Sequence, residues 1–450
     1  MKDTKDMKSS NELYSIFIIT IFLILCLFLN ACSLIPSKEE DSPPGTSPDP
    51  AAAKTYSPIV LEDHTSDLYG GTWIASCNEY LPLRQEPSGA SKLVGRVLKG
   101  DTVQLIAYDS LFAKVNYEGK EGYVMAAYLV PANEESHNKE LQIIKAVESY
   151  SYEQMTADLQ SLADAYPAKL TIDSIGKSEL GKDIPIAILG DTSASHHILV
   201  HGAIHGREHM TSTLIMSQME YLLSHKNTKF LESSIKDALN DVCLHLIPMV
   251  NPDGVEISQK GQLPDDLISI YEQDLKQKKT GLSLMEYARR WKANANGVDL
   301  NRNFDAGWEA YAGAGGASSE RYKGQSPSDQ SETAALSDYT LRYPFDAAIS
   351  YHSNGSIIYY EYGIKEPVNS LSKSLAEAVS HITQYPLVGS EGIEAGGFKD
   401  WAMDSLGIPS LTIEVGYRQS PLVLDEFSSI YERNKYVLPL TALWAKDRLK

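Results

Sequence analysis

The sequence contains few cysteines for its length, four in 450 residues. Cys26 and Cys32 lie within or directly after an apolar stretch near the N-terminus, whereas Cys77 and Cys243 lie far apart in two different predicted domains. An oxidising compartment would permit a bridge between the last two, but nothing in the sequence requires one. We therefore expect two free thiols that are packed in the interior of the protein.

Basic residues are also scarce relative to acidic ones. The 40 lysines and arginines are outnumbered by 59 aspartates and glutamates, so the formal net charge is -19 at pH 7. Because an acidic surface repels phosphate groups, we expect neither nucleic acid nor anionic lipid headgroups as the partner. The hydrophobic fraction of 43% is ordinary for a globular protein, and the length allows two domains.

Residues 1–32 have the features of a targeting segment. Three lysines precede the apolar run at 16–29, which ends in Leu-Asn-Ala-Cys at 29–32. This pattern resembles the lipobox of bacterial lipoproteins, in which the cysteine is acylated and becomes the first residue of the mature protein. It predicts a lipid anchor at Cys32 on the extracellular face of the cytoplasmic membrane, with no spanning helix in the mature chain. A plain signal anchor is the alternative.

Two further segments precede the main body of the chain. Residues 33–58 are rich in proline, serine, alanine and acidic residues, which predicts a flexible tether. Residues 59–135 contain short alternating runs separated by turn residues, which indicates a small all-β barrel. This part resembles a bacterial SH3-like domain at Leu83-Arg84, at 94–100, at Gly122-Tyr123-Val124 and at Tyr128-Leu129. The resemblance implies binding to cell-wall peptides, and a structural spacer is the alternative.

The second predicted domain spans residues 140–450 and is of the α/β class. Helical stretches, for example at 210–223 and 371–382, separate apolar runs that lack polar alternation. These strand candidates are at 184–189, 198–201, 243–250, 347–351 and 410–414. The pattern predicts a mostly parallel mixed sheet with helices on both faces.

Candidate metal ligands follow two of these strand candidates. His205 and Glu208 come shortly after the apolar run at 198–201, and they could bind one side of a divalent metal ion. A hydrolytic zinc site takes about three protein ligands and keeps one position open. His352 is the best third ligand, because it also ends an apolar run and the carboxyl ends of strands share one edge of a sheet.

Several motifs together resemble the zinc carboxypeptidase family, in its carboxypeptidase A-like form. In chain order they are His205-x-x-Glu208, Asn-Pro-Asp-Gly at 251–254, Gly-Val-Asp-Leu-Asn-Arg-Asn-Phe at 297–304, His352-Ser353, Gly-Gly-Phe-Lys-Asp-Trp at 396–401, and Glu414. The variants Arg-Trp-Lys-Ala-Asn at 290–294 and Gly-Gly-Phe-Lys-Asp-Trp are most similar to a bacterial branch. That branch cleaves γ-D-glutamyl to diamino acid bonds in peptidoglycan stem peptides.

The resemblance implies a Zn²⁺ cofactor and a role for each motif residue. His205, Glu208 and His352 would bind the metal, Asp299 would orient His205, and Glu414 would act as the general base. The implied substrate contacts are Asn301 and Arg302 with a carboxylate, Arg207 upstream of the scissile bond, and Lys399 on the leaving side. For Arg207 and Lys399, a solvated side chain is the alternative.

The sequence departs from the family at the residue that polarises the scissile carbonyl. Lys292 stands where carboxypeptidase A-like enzymes have an arginine, and Asn296 stands where the peptidoglycan branch often has one. Lys292 is therefore the first candidate for this role, followed by Arg290 and Arg289. Gly392 replaces the mobile active-site tyrosine of the family, which predicts altered specificity more than lost activity.

The leading hypothesis is a lipid-anchored, monomeric zinc peptidase that acts on peptidoglycan stem peptides, with the SH3-like domain holding it near the wall. One alternative is a conventional zinc carboxypeptidase that acts on other extracellular peptides. Another is a wall-binding adaptor that has lost activity through the changes at positions 292 and 392.

Overall fold

The computed structural model describes residues 59–61, 72–77, 79–109, 112–131, 140–363, 365–389, 395–447 and 449. The predicted lipid attachment at Cys32, the tether at 33–58 and Gly392 lie outside the described residues. Within residues 56–450, which cluster as one compact unit, two sheets form two different folds. No helix of the described part of the chain has the length and apolarity needed to cross a bilayer.

The first fold is a seven-stranded antiparallel sheet. Its strands are β1 (Thr72–Ala75), β2 (Tyr80–Arg84), β3 (Leu93–Leu98), β4 (Thr102–Asp109), β5 (Phe112–Tyr117), β6 (Lys120–Met125) and β7 (Leu129–Pro131). They are ordered β3-β2-β6-β5-β4-β1-β7, and a 3₁₀ turn, Ala126–Tyr128, connects β6 to β7. Alternate residues such as Leu81 and Leu83 are buried in a small core of their own. The prediction of a small all-β domain is confirmed.

The second fold is a mixed sheet of eight strands. They are β8 (Leu170–Lys177), β9 (Asp183–Leu189), β10 (His196–His201), β13 (Val242–Ile247), β14 (Phe345–His352), β15 (Ile357–Tyr359), β16 (Leu387–Val388) and β17 (Ser410–Glu414). The short pair β11 (Lys229–Phe230) and β12 (Ser233–Ser234) forms a separate ribbon. In the order β16-β15-β17-β14-β10-β13-β9-β8, the four central strands are parallel, β9 is antiparallel to both β13 and β8, and β15 is antiparallel to β17.

Helices cover both faces of this sheet. They are α1 (Tyr152–Ala165), α2 (Met210–Ser224), α3 (Ile235–Ala238), α4 (Pro252–Lys260), α5 (Ile268–Lys276), α6 (Leu284–Arg289), α7 (Ser331–Thr340), α8 (Val368–Thr383), α9 (Phe398–Leu406), α10 (Phe427–Asn434) and α11 (Val437–Ala445). Side chains of successive strand residues point to opposite faces. Ile198 and Val200 accordingly pack with α1, α2, α8, α10 and α11, whereas Leu199 packs with α7 and α9.

The parallel pairing brings three strand ends to one edge of the sheet. β14 lies between β10 and β17, and its last residue, His352, is paired with Glu414 at the end of β17. β10 ends at His201, four residues before His205. Since parallel strands end at the same edge, residues that are distant in sequence become neighbours there.

Candidate active site

Three buried side chains meet at this edge. After β10 the chain forms a 3₁₀ turn, Gly206–Glu208, which places His205 and Glu208 on one side before α2 begins. His205 Nδ1 lies 2.9 Å from Glu208 Oε1 and 3.2 Å from His352 Nδ1, which in turn lies 3.1 Å from Glu208 Oε2. The structure thus brings together the three residues that the sequence predicts as metal ligands.

The arrangement of these atoms suits a zinc ion. Two ring nitrogens and one carboxylate face a common point, where a single proton could satisfy only one pair of them but a cation could satisfy all three. The side chains of His205, Glu208 and His352 are almost completely buried. A buried imidazole–carboxylate set of this kind is the donor set of hydrolytic zinc sites.

Asp299 fixes the orientation of His205. Its Oδ1 lies 3.1 Å from His205 Nε2, so Nδ1 of the same ring is turned toward Glu208. Its Oδ2 accepts a hydrogen bond from the Arg321 backbone N–H at 3.0 Å and lies 3.5 Å from Lys292 Nζ. A carboxylate on the outer nitrogen of a metal-binding histidine sets the tautomer and increases its basicity.

The protonation states agree with a metal-binding role. Burial acts to raise the pKa of Glu208, but the charges and hydrogen bonds of His205 and His352 hold that pKa well below 4.5. Burial also acts to raise the pKa of Asp299, and Lys292 and His205 hold it well below 3.8. Burial lowers the pKa of His352, and neutral imidazole is the form that binds a metal.

Two glycines allow the metal-binding loop to pack against its support. A Cβ on Gly206 would lie only 2.3 Å from the carbonyl oxygen of Gly254, and a Cβ on Gly254 would lie 2.5 Å from that of Ala293. Asn251 caps α4 by accepting from Gly254 N–H, and its amide donates to the Ile204 and Ala293 carbonyls. The Asn-Pro-Asp-Gly motif therefore supports the loop between β10 and α2.

Glu414 lies beside the triad rather than within it. It ends β17 next to His352. Burial and the charge of Glu208 raise the pKa of Glu414 well above 4.5, against the opposing charges of Lys292, Arg207 and Arg302. A carboxylate with a raised pKa at the edge of a metal site is placed to exchange a proton with a reacting group.

Of the three candidates for the carbonyl-polarising role, Lys292 is the one that adjoins the triad, through Asp299. Its side chain is mostly buried. Arg289 and Arg290 are exposed at the end of α6, and Asn296 donates to Gln330 Oε1 at 3.0 Å. The Arg207 side chain is 26% exposed, pairs with Glu320 at 3.2 Å and donates to the Arg290 carbonyl. It is therefore held at the surface rather than freely solvated.

The predicted carboxylate-binding residues, Asn301 and Arg302, lie next to the start of α9. Asn301 Oδ1 accepts from the Phe398 backbone N–H at 3.0 Å, and Arg302 Nη1 donates to the Asn301 carbonyl. The Arg302 guanidinium lies 5.3 Å from the centre of the Tyr311 ring. This aromatic support was not predicted from the sequence, because Tyr311 stands in a loop without a recognisable motif.

Lys399 is buried, which contradicts the alternative of a solvated lysine. On α9, its ammonium donates to Asp400 Oδ1 at 2.6 Å and to the Glu361 carbonyl at 2.9 Å, and it lies 5.6 Å from the Tyr362 ring centre. Only 8% of the residue is exposed. A buried cation is held in place by such partners.

Among the described residues, a second buried group of possible metal ligands contains His197, Cys243 and His245. This group lies toward the amino ends of β10 and β13, away from the zinc-binding triad. His197 Nδ1 is 3.0 Å from His245 Nε2, and His245 Nδ1 is 2.7 Å from the Tyr339 hydroxyl. Cys77 and Cys243 are both free and buried, which confirms the expectation of two packed thiols.

Comparisons with known proteins agree with the two folds. The zinc carboxypeptidase family model matches residues 155–439, and the bacterial SH3 domain model matches residues 79–130. Both ranges fall within the domains predicted at 59–135 and 140–450, whose exact limits stay predictions. Carboxypeptidase A from Helicoverpa armigera shares the fold, with a TM-score of 0.51 and 20% identity over 74% of this chain and 91% of that chain. The thrombin-activatable fibrinolysis inhibitor has a TM-score of 0.54 at 18% identity, over 70% of this chain and 84% of that chain.

Two curated relatives extend the comparison. Gamma-D-glutamyl-L-diamino acid endopeptidase 1 of Lysinibacillus sphaericus is 31% identical over 299 residues, which cover 65% of this chain and 72% of the relative. Carboxypeptidase B of Astacus astacus is 24% identical, over 59% of this chain and 86% of the relative. With a family match over more than half of its length, the chain belongs to the zinc carboxypeptidase family and is a zinc metallopeptidase.

Proposed function

We propose that this zinc metallopeptidase hydrolyses γ-D-glutamyl to diamino acid bonds in peptidoglycan stem peptides. The observation that carries the proposal is the buried Lys399–Asp400 pair on α9, the helix whose first residue contacts Asn301, and we infer that this pair faces the leaving residue. A diamino acid such as diaminopimelate ends in a carboxylate and an ammonium group, and this pair presents one charge complementary to each. The similarity to the endopeptidase of Lysinibacillus sphaericus supports the same substrate class.

The residues of the triad would hold the metal. His205, Glu208 and His352 would contribute Nδ1, a carboxylate oxygen and Nδ1, and Asp299 would hold the His205 ring in place. Zinc at this position supplies a Lewis acid and lowers the pKa of water to about 7. Glu414 would take a proton from the attacking water and deliver it to the leaving amine nitrogen.

Lys292 would act on the scissile carbonyl. Its ammonium lies within 3.5 Å of Asp299, which in turn contacts His205, so a positive charge borders the triad. Its charge also acts on Glu414 and His352. A charge at that position stabilises the developing oxyanion. The lysine ammonium is a point charge, whereas the arginine guanidinium is a planar fork. Lys292 would therefore donate one hydrogen bond to the carbonyl where an arginine could donate two.

Asn301 and Arg302 would bind a carboxylate of the substrate. The Arg302 guanidinium is a planar fork that matches two carboxylate oxygens, and its contact with Tyr311 limits its rotation. Arg207 would contact the portion upstream of the scissile bond. Together these residues fix the substrate on either side of the zinc-binding triad.

We further propose that a lipid at Cys32 anchors the protein, as a monomer, to the outer face of the cytoplasmic membrane. The SH3-like domain would bind wall peptides close to the substrate. The motif at 29–32 supports the first proposal, and the match to the bacterial SH3 domain model supports the second.

Three soluble substrates test the proposed reaction. The chain without residues 1–32 is incubated with L-Ala-γ-D-Glu-diaminopimelate, with the same tripeptide carrying L-lysine in third place, and with an ordinary acylated dipeptide. We expect mass spectrometry to show release of diaminopimelate, with kcat/KM for the lysine peptide lower by about tenfold, since one charge pair is worth roughly 1–2 kcal/mol. Matched Lys399→Met protein should lose this preference.

The alternatives predict other products. Cleavage of the acylated dipeptide alone would establish a conventional carboxypeptidase. Zinc retention without turnover of any of the three substrates would establish the inactive adaptor.

A further inference from the structure

A buried arginine joins the peptidase fold to the SH3-like sheet. Arg433 lies on α10, and only 6% of the residue is exposed. Its Nη1 donates to the Thr383 carbonyl of the peptidase fold at 3.0 Å, and its Nη2 donates to the carbonyls of Ala126 and Leu129 in the SH3-like domain. If the SH3-like domain moved away, Nη2 would lose both of these partners. The hydrogen bonds therefore favour the docked arrangement.

A pair of tyrosines meets beside this arginine. Tyr128 of the SH3-like domain packs edge-on against Tyr417, with ring centres 4.9 Å apart and planes at 63°. Tyr417 belongs to the loop 415–421, which starts directly after Glu414 and β17. Edge-to-face packing of aromatic rings is a favourable geometry and adds to the area that is buried. The SH3-like domain thus contacts the segment that follows the proposed general base.

The loop 415–421 is bonded in turn to the zinc-binding triad. Gly416 accepts from the Gly355 N–H at 2.8 Å, and the Ser420 hydroxyl lies 2.6 Å from that of Ser353. The Ser353 backbone N–H donates to Glu208 Oε2 at 3.2 Å. A continuous series of contacts therefore runs from Tyr128, through the loop, to a metal ligand.

A buried glutamate holds the loop from its other side. Glu426 Oε2 accepts from the backbone N–H groups of Tyr417 and Arg418, at 2.9 and 3.3 Å. Glu426 precedes α10, the helix that carries Arg433. The loop and the SH3-like domain are consequently both tied to the same helix.

We propose that the SH3-like domain is a positioning element of the peptidase, which holds the loop 415–421 and so aligns Ser353 and Glu414 for hydrolysis. This role is additional to any binding of the cell wall. It rests on the proposed peptidase function but not on the identity of the diamino acid. Arg433 and Tyr128 are its positioning residues, and neither touches the substrate.

The test uses Tyr128→Ala in the chain without residues 1–32, with Tyr80→Ala as its control. Both tyrosines are partly exposed, but Tyr80 lies on β2, and four strands separate β2 from β7 in the sheet order. With a soluble tripeptide substrate, which does not require wall binding, we expect kcat to fall about tenfold for Tyr128→Ala. KM should stay within about twofold, because the loss is one of alignment.

Hydrogen exchange provides a readout that does not depend on activity. In Tyr128→Ala the amides of Tyr417 and Arg418 should exchange faster, whereas Tyr80→Ala should exchange and turn over like the unaltered protein. Arg433→Lys keeps the charge without the planar fork, so it should change both readouts in the same direction by a smaller factor. Zinc content measured alongside reports that each variant is folded.

Two results would overturn the proposal. One is faster exchange in Tyr128→Ala with an unchanged kcat, which would make the docked domain irrelevant to alignment. The other is unchanged exchange in both Tyr128→Ala and Arg433→Lys, which would show that the contact does not hold the loop. If the unaltered protein turned over no peptide, the peptidase function itself would fail, and the exchange comparison would still support or overturn the docking.

Discussion

A buried histidine pair lies near each end of strand β10, and the two pairs have different chemistry. At the carboxyl end, His205 and His352 share the Glu208 carboxylate, and Asp299 orients His205. At the amino end, His197 and His245 contact each other, and the Tyr339 hydroxyl occupies the remaining nitrogen of His245. Both pairs are almost completely buried.

The difference shows that the number of histidines does not define a metal site. In the amino-end pair, neutral donors and acceptors can satisfy one another, since one imidazole N–H donates to the other ring and Tyr339 donates to His245. In the carboxyl-end pair, the negative charge of Glu208 and the facing ring nitrogens require a cation for mutual satisfaction. We therefore expect one zinc ion per chain, at the carboxyl end.

Removing one histidine from each pair tests whether only the carboxyl-end pair binds zinc. His352→Gln should lose zinc and with it more than about 10³-fold of the activity, because metal-generated nucleophile and electrostatic stabilisation are lost together. His245→Gln should keep one zinc per chain and keep its turnover. Inductively coupled plasma mass spectrometry of the purified proteins measures the zinc content. Loss of zinc in both variants would contradict the distinction between the two histidine pairs.

Glu414→Gln separates catalysis from metal binding at the carboxyl-end site. Turnover should fall by about 10³-fold, as expected for loss of a general base, while zinc content stays at one per chain. Glu153→Gln, an exposed change at the start of α1, is the matched control. A Glu414→Gln protein with near-normal kcat would exclude Glu414 as the base.

The amino-end pair should make folding stability sensitive to acid. Burial, together with the charge of His197, lowers the pKa of His245 from 6.5 to about 3. Between these two values only the unfolded chain takes up the proton, so the stability that is present above pH 6.5 is lost as the pH falls.

Urea unfolding at pH 7.5 and 4.5 measures this loss. Between those pH values the free energy of unfolding should fall by about 2–3 kcal/mol more in the unaltered protein than in His245→Gln. Zinc release at low pH affects both proteins alike, so the difference between them isolates the His245 contribution. Equal losses would show that His245 does not titrate abnormally.

Lys292→Met tests the charge that borders only the carboxyl-end pair. We expect kcat/KM to fall roughly 10- to 100-fold, with the zinc content unchanged, because a donor to the developing oxyanion is removed. Arg290→Met is the control, because it removes an exposed cation two residues away in the sequence. It should change kcat/KM by less than about twofold. The reverse result would assign the polarising role to Arg290.

The last prediction compares the two groups that orient a histidine. Asp299→Asn should weaken zinc binding by about 10- to 100-fold, as is typical when the carboxylate behind a metal-binding histidine is lost. Tyr339→Phe removes the hydroxyl beside His245, and it should leave zinc affinity unchanged. Competition with a chromogenic chelator measures both affinities, and equal zinc affinities for the two variants would contradict the role of Asp299.

The sequence predicts the carboxyl-end site well because simple rules apply there. His205, Glu208 and His352 each follow an apolar strand candidate, and parallel strands end at one edge of a sheet. The direction of β8 and β9 is not predictable in this way, since an apolar run such as 184–189 has the same pattern in either orientation. Strand polarity depends on connections and packing, which a local pattern does not contain.

Other features depend on contacts between distant residues. The partners of Lys399 include the Glu361 carbonyl, and a sequence of side chains cannot show that a backbone carbonyl lies 2.9 Å away. Arg433 looks like an ordinary polar residue of an amphipathic helix, and the carbonyls that its Nη2 contacts belong to the distant SH3-like domain. Lysine and arginine side chains are usually exposed to solvent, so residue type alone predicts an exposed position for Lys399 and Arg433, although both are buried.

The contact between Gly206 and Gly254 has a consequence for how the two motifs can change over evolutionary time. A Cβ at position 206 would collide with the backbone of Gly254, and a Cβ at position 254 would collide with the Ala293 carbonyl and the Asn251 side chain. A larger residue at position 206 therefore has no compensating replacement at 254, where the smallest side chain is already present. Glycine should consequently be retained at both the second position of His-x-x-Glu and the last position of Asn-Pro-Asp-Gly. A substitution at either position would mark a descendant that no longer binds the metal.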